Sequence, residues 1–483
     1  MASQDEQNGK TGLLLAFLCV STSSLALGAA KSPDADAIVD LARSVSNLPP
    51  SWTAGADICG YEGVTCDKDS GRVTTIDLRD KGLAGTLPSS ALSSLAAVTA
   101  LHLGGNRLAG AVPSLASLAS LALVVLDGNA FTSLPADFLK DVPSLRDLSL
   151  DSLPLQPWSL PEAIPSLSLE YFSASAANLA GPFPANLPCS SLTTLRLNRN
   201  NLSGPIDAVA SLKSLTVLMI DHNSFSGPIP DLSGMSQLET FSAGDNLLTG
   251  LVPASMTKMP SLRRVSLANN LLQGPMPEFG HGVDTDVLGN DFCHPEPGRP
   301  CDAQVTALLQ VAAGFGYPLQ LSRNWYGNTT CNSKDGTASW VGVVCNGTDV
   351  TEVSLQQMNL SGTISPAFAN LTAVVRLNLS GNHLAGAIPD ALATMPRLAL
   401  LDVTNNNLRG QIPKFKPSVQ VMAQGNRFGK SVPPPAAGVP AGTTAGSPPA
   451  GTVSSSLPAN SASRFNLGII ANVILALVIA NWG

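Results

Sequence analysis

One frame recurs along this chain and limits what it can fold into. From Leu192 the sequence reads LTTLRLNRNNLSGPI, from Leu215 LTVLMIDHNSFSGPIP, from Leu238 LETFSAGDNLLTGLVP and from Leu262 LRRVSLANNLLQGPMP. The common pattern is L-x-x-L-x-L-x-x-N-x-L-x-G-x-I-P, returning every 23 or 24 residues. It also fits from Val73, from Val98 and, with Ala177 in place of Asn, from Leu169; weaker copies start near Leu121 and Leu145. After a gap come three more: VTEVSLQQMNLSGTIS, VVRLNLSGNHLAGAIP and LALLDVTNNNLRGQIP.

This is a leucine-rich repeat, and its spacing has a mechanical meaning. The L-x-L step is a short strand whose alternate side chains point inward. The Asn of each copy (Asn200, Asn223, Asn246, Asn270, Asn382, Asn406) hydrogen-bonds the turning backbone, Gly permits a tight path, and Pro ends the copy. A single copy buries too few apolar side chains to offset the ordering of its backbone, so copies must stack. The fold class expected is α/β: a leucine-rich-repeat solenoid in two blocks with helical, disulfide-closed caps.

Solenoid ends expose apolar core and need covering. Residues 31–72 supply a first cap: a helix in DADAIVDLARSVSNLPPSW, then CGYEGVTC. Its echo lies in the interruption, as DAQVTALLQVAAGFGYPLQLSRNW followed by CNSKDGTASWVGVVC. Before the echo, GNDFCHPEPGRPC reads as the closing cap of the first block. The expected order is therefore a leader at 1–30, a cap at 31–72 and a first block of about nine repeats at 73–277. A non-repeat island follows at 278–349 and a second block of three repeats at 350–430. Residues 431–464 are a Pro/Ala/Gly/Ser-rich stalk and 465–483 an apolar tail.

Three features point to export. GLLLAFLCVSTSSLALGAA reads as a secretory signal peptide cleaved near Ala29 or Ala30. The cysteines beyond it include three close pairs, Cys59 with Cys66, Cys293 with Cys301 and Cys331 with Cys345, which read as disulfides; Cys189 is left as a buried thiol. Asn201, Asn328, Asn346, Asn359, Asn370 and Asn378 each begin an Asn-x-Ser/Thr glycosylation signal.

No catalytic apparatus is legible, so the reading is that the chain is not an enzyme and needs no cofactor. No H-R-D or D-F-G tripeptide of a protein kinase occurs. GNRFGKS, from Gly425, is one residue short of a phosphate loop and follows a repeat, not a strand leading into a helix. The five histidines form no H-E-x-x-H pair, and Cys293, His294 and Cys301 read as a disulfide neighbourhood, not a metal site. A net charge of −7 gives no basic stripe for nucleic acid.

What remains is surface. The x positions around L-x-L face the concave side, where solenoids bind partners. In the first block the candidates are Arg196, Asn198, Arg199, Asp221, His222, Asp245, Arg263 and Arg264, a mixed-charge patch suited to a peptide, a carboxylate or a protein. Gln356, Gln357, Arg376, Asn378, Asp402 and Asn405 hold comparable places in the second block.

With caps and split solenoid in view, residues 31–430 resemble the ectodomain of the transmembrane-kinase (TMK) subfamily of plant leucine-rich-repeat receptor-like kinases. The motifs that carry the resemblance are FSASAANLAGPFP, NDFC followed by CDAQVTALL, W-x-G-V-x-C and SGTISPAFANL. Three departures stand out: Tyr61 where the first cap usually carries Trp, a longer Cys331–Cys345 loop, and no kinase segment within these 483 residues. The resemblance implies a plasma-membrane receptor-like protein with its solenoid outside the cell, in growth signalling that includes auxin responses. Its partners would be an extracellular protein or peptide, a kinase-bearing receptor of the same repeat type, or an apoplastic auxin-binding protein. A secreted or wall-associated inhibitor, and a shortened form of a receptor kinase, are the alternatives. The tail FNLGIIANVILALVIANW is read as membrane attachment, with a lipid-anchor signal and a simple span both open.

Overall fold

In the coil that begins at Leu192, alternation decides which side chains turn inward. Leu192, Leu195 and Leu197 are buried, whereas Thr194 and Arg196 keep part of their surface in solvent. That period of two makes Thr194–Arg196 a strand with one apolar face. Neighbouring coils repeat it in register, so Leu195 sits between Phe172 and Leu218. Eleven such strands form one sheet, from Val64–Cys66 to Asp284–Asp286, and only the cap strand Val64–Cys66 pairs antiparallel. In the second block five strands do the same, from Val343–Asn346 to Gln420–Met422.

A computed structural model of the chain describes residues 32–116, 118–160, 168–185, 189–331 and 340–429. These residues lie within one compact unit, Met1–Ser431. The leader, stalk and tail read at 1–30, 431–464 and 465–483 are outside the described residues. Among the described residues no helix is long and apolar enough to cross a membrane.

The repeat frame predicts one strand per copy, and in most copies the structure has two. Asn201–Gly204, Ser224–Pro228, Leu247–Leu251 and Leu271–Gly274 belong to a second parallel ladder built from the N-x-L-x-G stretch. The Asn explains it. Asn246 is buried, and its Nδ2 donates to the carbonyls of Ile220, Ala243 and Gly244 at 3.0, 3.1 and 3.1 Å. Its Oδ1 accepts from the Phe225 N–H of the preceding coil at 2.9 Å. With the turn satisfied by a side chain, the backbone beyond it is released to run extended beside its neighbour. Both sheets also run one partial coil further than the repeat pattern shows. Asp284–Asp286 and Asn290 extend the first block into residues assigned to the island, and Gln420–Met422 with Asn426 extends the second. Thr285 and Val287 stand where leucines would mark the frame, which hides that coil from a leucine count.

The two caps are built alike. Trp52 and Tyr61 pack with ring centroids 5.0 Å apart, Trp325 and Trp340 with 5.3 Å. Trp52 Nε1 donates to Glu62 O at 3.0 Å, and Trp325 Nε1 to Val341 O at 2.9 Å. The first repeat strand of each block starts with an N–H that a cap side chain satisfies. Asp34 accepts from Val73 N at 2.8 Å and Gln304 from Val350 N at 2.7 Å. Disulfides join Cys59 to Cys66, Cys293 to Cys301 and Cys331 to Cys345, and Cys189 is a buried free thiol. The bond between Cys293 and Cys301 removes both sulfurs as metal ligands beside His294.

The second cap also packs against the first block. Thr249 Oγ1 donates to Tyr317 O at 2.8 Å, and Gln273 donates to Trp325 O. The Tyr317 ring lies over Gly250, where a Cβ would stand 2.5 Å from its Cδ2. Burial there pushes the Tyr317 phenol up to about 12. The core itself falls into two clusters, one per block, so this junction is what couples them.

Candidate functional site

The long sheet presents one open face, and strand register orders the side chains on it. Tyr171, Thr194 and Val217 form one row; Ser173, Arg196 and Met219 form the next. Asn198 and Asp221 extend from the ends of their strands in a third. Adjacent strands lie about 4.8 Å apart, so residues in a row touch. Three features give this face its chemistry.

The first is a polar ladder. Asp127 accepts from the Ser149 hydroxyl at 2.9 Å and from Asp151 N at 2.8 Å. Asp151 in turn accepts from the Ser173 hydroxyl and Ser175 N, both at 2.6 Å. The Ser175 hydroxyl donates to Asn198 at 2.8 Å, and that of Ser242 to Asp221 at 2.8 Å. Asp151 and Asp221 thus each have one carboxylate oxygen bound within their own sheet. Burial raises the pKa of Asp127 above the ordinary carboxylate value. It does the same for Asp147, with the charge of Glu170 adding to the effect.

The second is a set of ion pairs. Arg79 meets Asp77 at 2.7 Å, Arg146 meets Glu170 at 2.7 Å and Arg264 meets Asp284 at 3.0 Å. The hydrogen bond from Arg79 holds the Asp77 carboxyl below its usual range. All three pairs are substantially exposed, so their energetic weight is small.

The third is Arg196. It is half-buried, its guanidinium carbon lies 5.9 Å from the centroid of the Tyr171 ring, and its Nε is enclosed with no hydrogen-bond partner. Among the described residues it makes no ion pair.

A model of the leucine-rich-repeat N-terminal domain matches the sequence twice, at residues 31–67 and 301–346, and a leucine-rich-repeat model matches 373–395. The rice receptor protein kinase WSS1 (Oryza sativa subsp. japonica) is 57% identical over 450 residues, covering 86% of this chain and 48% of that protein. The receptor-like kinase TMK2 of Arabidopsis thaliana is 37% identical over 413 residues, covering 75% of this chain and 43% of that protein. The chain is a homologue of plant TMK-type receptor kinases. It spans about half the length of these curated relatives, 48% and 43%. Among solved structures, the Arabidopsis receptor kinase HAESA, in complex with the peptide hormone IDA and the co-receptor SERK1, aligns at 24% identity and a TM-score of 0.42. That alignment covers 82% of this chain and 74% of that one.

On this TMK-type solenoid the eight residues singled out in the first block divide. Arg196, Asn198, Asp221 and Arg264 follow the strand face. Arg199, His222 and Asp245 have φ of 59°, 53° and 52°, so they sit in the left-handed turn beyond the strand and form its edge. There His222 Nδ1 lies 3.5 Å from Asp245, which also accepts from Asn269 at 2.9 Å. Arg263 precedes its strand and is exposed. In the second block Asn378 donates to Gln356 at 2.9 Å, while Asp402 accepts from Thr404 N and its hydroxyl at 2.9 and 2.8 Å. Motif reading passed over Tyr171, Asp127 and Asp151. They occupy outward x positions in the copies from Leu169, Leu121 and Leu145, so counting register through every copy would have found them.

The glycosylation signals divide as well. Asn201, Asn346, Asn359 and Asn370 are exposed. Asn328 is half-buried and accepts from Asp302 N at 2.7 Å. Asn378 lies on the concave strand Arg376–Asn378; its Nδ2 is bound to Gln356 and its Oδ1 to Ser380 N and the Ser380 hydroxyl at 3.0 and 2.7 Å. Glycopeptide mapping of the secreted protein is expected to find glycans at the four exposed sites and none at Asn378. A glycan mapped to Asn378 would show that this face is open to bulky modification.

Proposed function

We propose that this chain is the extracellular, ligand-capturing part of a receptor-like protein held at the plasma membrane of plant cells. In this reading the partner lies along the concave sheet of the first block, across the strands that carry Tyr171, Arg196 and Asp221. The observation that supports it most is Arg196: a cation on a binding-type surface, packed on an aromatic ring and paired with no carboxylate. The relatives named as receptor kinases support a signalling context. The family resemblance adds the finer reading of growth signalling with auxin responses, through a kinase-bearing receptor or an apoplastic auxin-binding protein. The apolar run at 465–483 supports attachment to the membrane.

Reversing charge at two strand positions tests the surface. Arg196→Glu combined with Arg264→Glu is expected to abolish capture of apoplastic or membrane proteins from plant tissue, with the thermal unfolding midpoint nearly unchanged. Neither residue is part of the apolar core, so a folded double variant is expected. Capture at the wild-type level would move the site to the second block or the island.

A further inference from the structure

We infer that Arg196 anchors a single carboxylate of an extracellular peptide, a statement that rests on the reading above of the concave sheet as the binding face. The other strand-face arginines of the first block, Arg79 and Arg264, are each neutralised by an aspartate of the protein itself. Arg196 is held instead by packing: the Tyr171 ring on one side and Nε enclosed by the sheet. Neither Nη is enclosed in the same way, so the end of the guanidinium is the part left for a ligand. A planar fork fixed in advance is the arrangement that binds a carboxylate through two parallel hydrogen bonds.

The surroundings choose the class of anion. Across the sheet Arg196 is flanked by Ser173 and Met219, neither charged. Acids stand in both adjoining rows: Asp151 and Asp221 accept from serine hydroxyls in one, and Asp147 lies beside Tyr171 in the other. One unpaired cation flanked by rows that carry acids suits one negative charge and disfavours a phosphate or a polyanion, which would meet those acids. Met219 offers an apolar flank for the residue that carries or precedes the carboxylate.

The experiment uses the full chain, immobilised, and a mixture of random twelve-residue synthetic peptides prepared with free and with amidated carboxyl termini. Retained peptides are identified by mass spectrometry for the wild type, Arg196→Gln and Arg196→Lys. The expected result is a set of carboxylate-bearing peptides whose retention falls about tenfold in Arg196→Gln, with Arg196→Lys intermediate because it keeps the charge and loses the fork. If only free-terminus peptides depend on Arg196, the carboxylate is the chain end. If amidated peptides containing Asp or Glu depend on it equally, the carboxylate is a side chain. Peptides retained equally by wild type and Arg196→Gln would overturn the carboxylate anchor and leave the concave binding face standing. Absence of any retained peptide would overturn the carboxylate anchor, while protein capture by the Arg196→Glu, Arg264→Glu double variant decides the concave face separately.

Discussion

Asn246→Ala is expected to cost about 3–4 kcal/mol of stability, one of the largest losses available to a single polar substitution in this chain. The Asn246 carboxamide makes four hydrogen bonds inside the protein, three as donor and one as acceptor. The three carbonyls it serves keep other donors: Asn223 on Ile220 O, Asn270 on Ala243 O and His222 N on Gly244 O. The Phe225 N–H is in a different position, because Asn246 Oδ1 is its acceptor and Phe225 is buried. Alanine therefore leaves one buried donor without a partner and three carbonyls under-satisfied, beside a small void. Asn324→Ala is the control: Asn324 is exposed, stands outside the column and donates to Gln320 O at 2.8 Å, so a change below about 1 kcal/mol is expected. Urea midpoints of both variants decide the matter. Equal losses would mean that the Asn column is incidental to the stacking of coils.

Gly250→Val is expected to loosen the second block from the first. Gly250 has φ of 79°, a conformation that valine adopts only under strain, and a Cβ there would stand 2.5 Å from the Tyr317 ring. Strain and overlap together are expected to cost about 3 kcal/mol or more. Gly227 separates the two causes. It occupies the same place one coil earlier with φ of 83°, and its nearest neighbour to an added Cβ is Pro205 at 4.0 Å. Gly227→Val thus carries the strain without the collision. In hydrogen exchange, Gly250→Val should speed exchange of the cap helix Ala303–Gly314, and Gly227→Val should leave it at the wild-type rate. Because each block has its own core, Gly250→Val should also convert one unfolding transition into two. Identical exchange in the two variants would show that the contact at Tyr317 does not couple the blocks.

How much of this protein is legible in its sequence varies with the distance over which each feature is set. The frame around Leu192, Leu195, Leu197 and Asn200 is local, and it specified the strand, the inward face and the turn, since each follows from alternation and from one carboxamide. Cap pairing was equally legible, because Cys59 and Cys66 are seven residues apart and Cys293 and Cys301 eight. The second ladder was not, since an N-x-L-x-G stretch has no alternation that separates a strand from an extended loop. Its pairing exists only between coils, as when Gly204 lies beside Phe225.

The candidate surface shows the same division. The x positions of L-x-L identified Arg196 as outward-facing, yet grouped it with Arg199, His222 and Asp245, which turn away at positive φ. That Arg196 rests on Tyr171, a residue of the neighbouring coil, is decided by register between strands. That Thr249 meets Tyr317, 68 residues later, is decided by how the second cap docks. The sequence by itself determined the repeating coil, its caps and the kind of protein built from them. Only the tertiary structure decided which side chains become neighbours, because charge neutralisation and burial are properties of the assembled face.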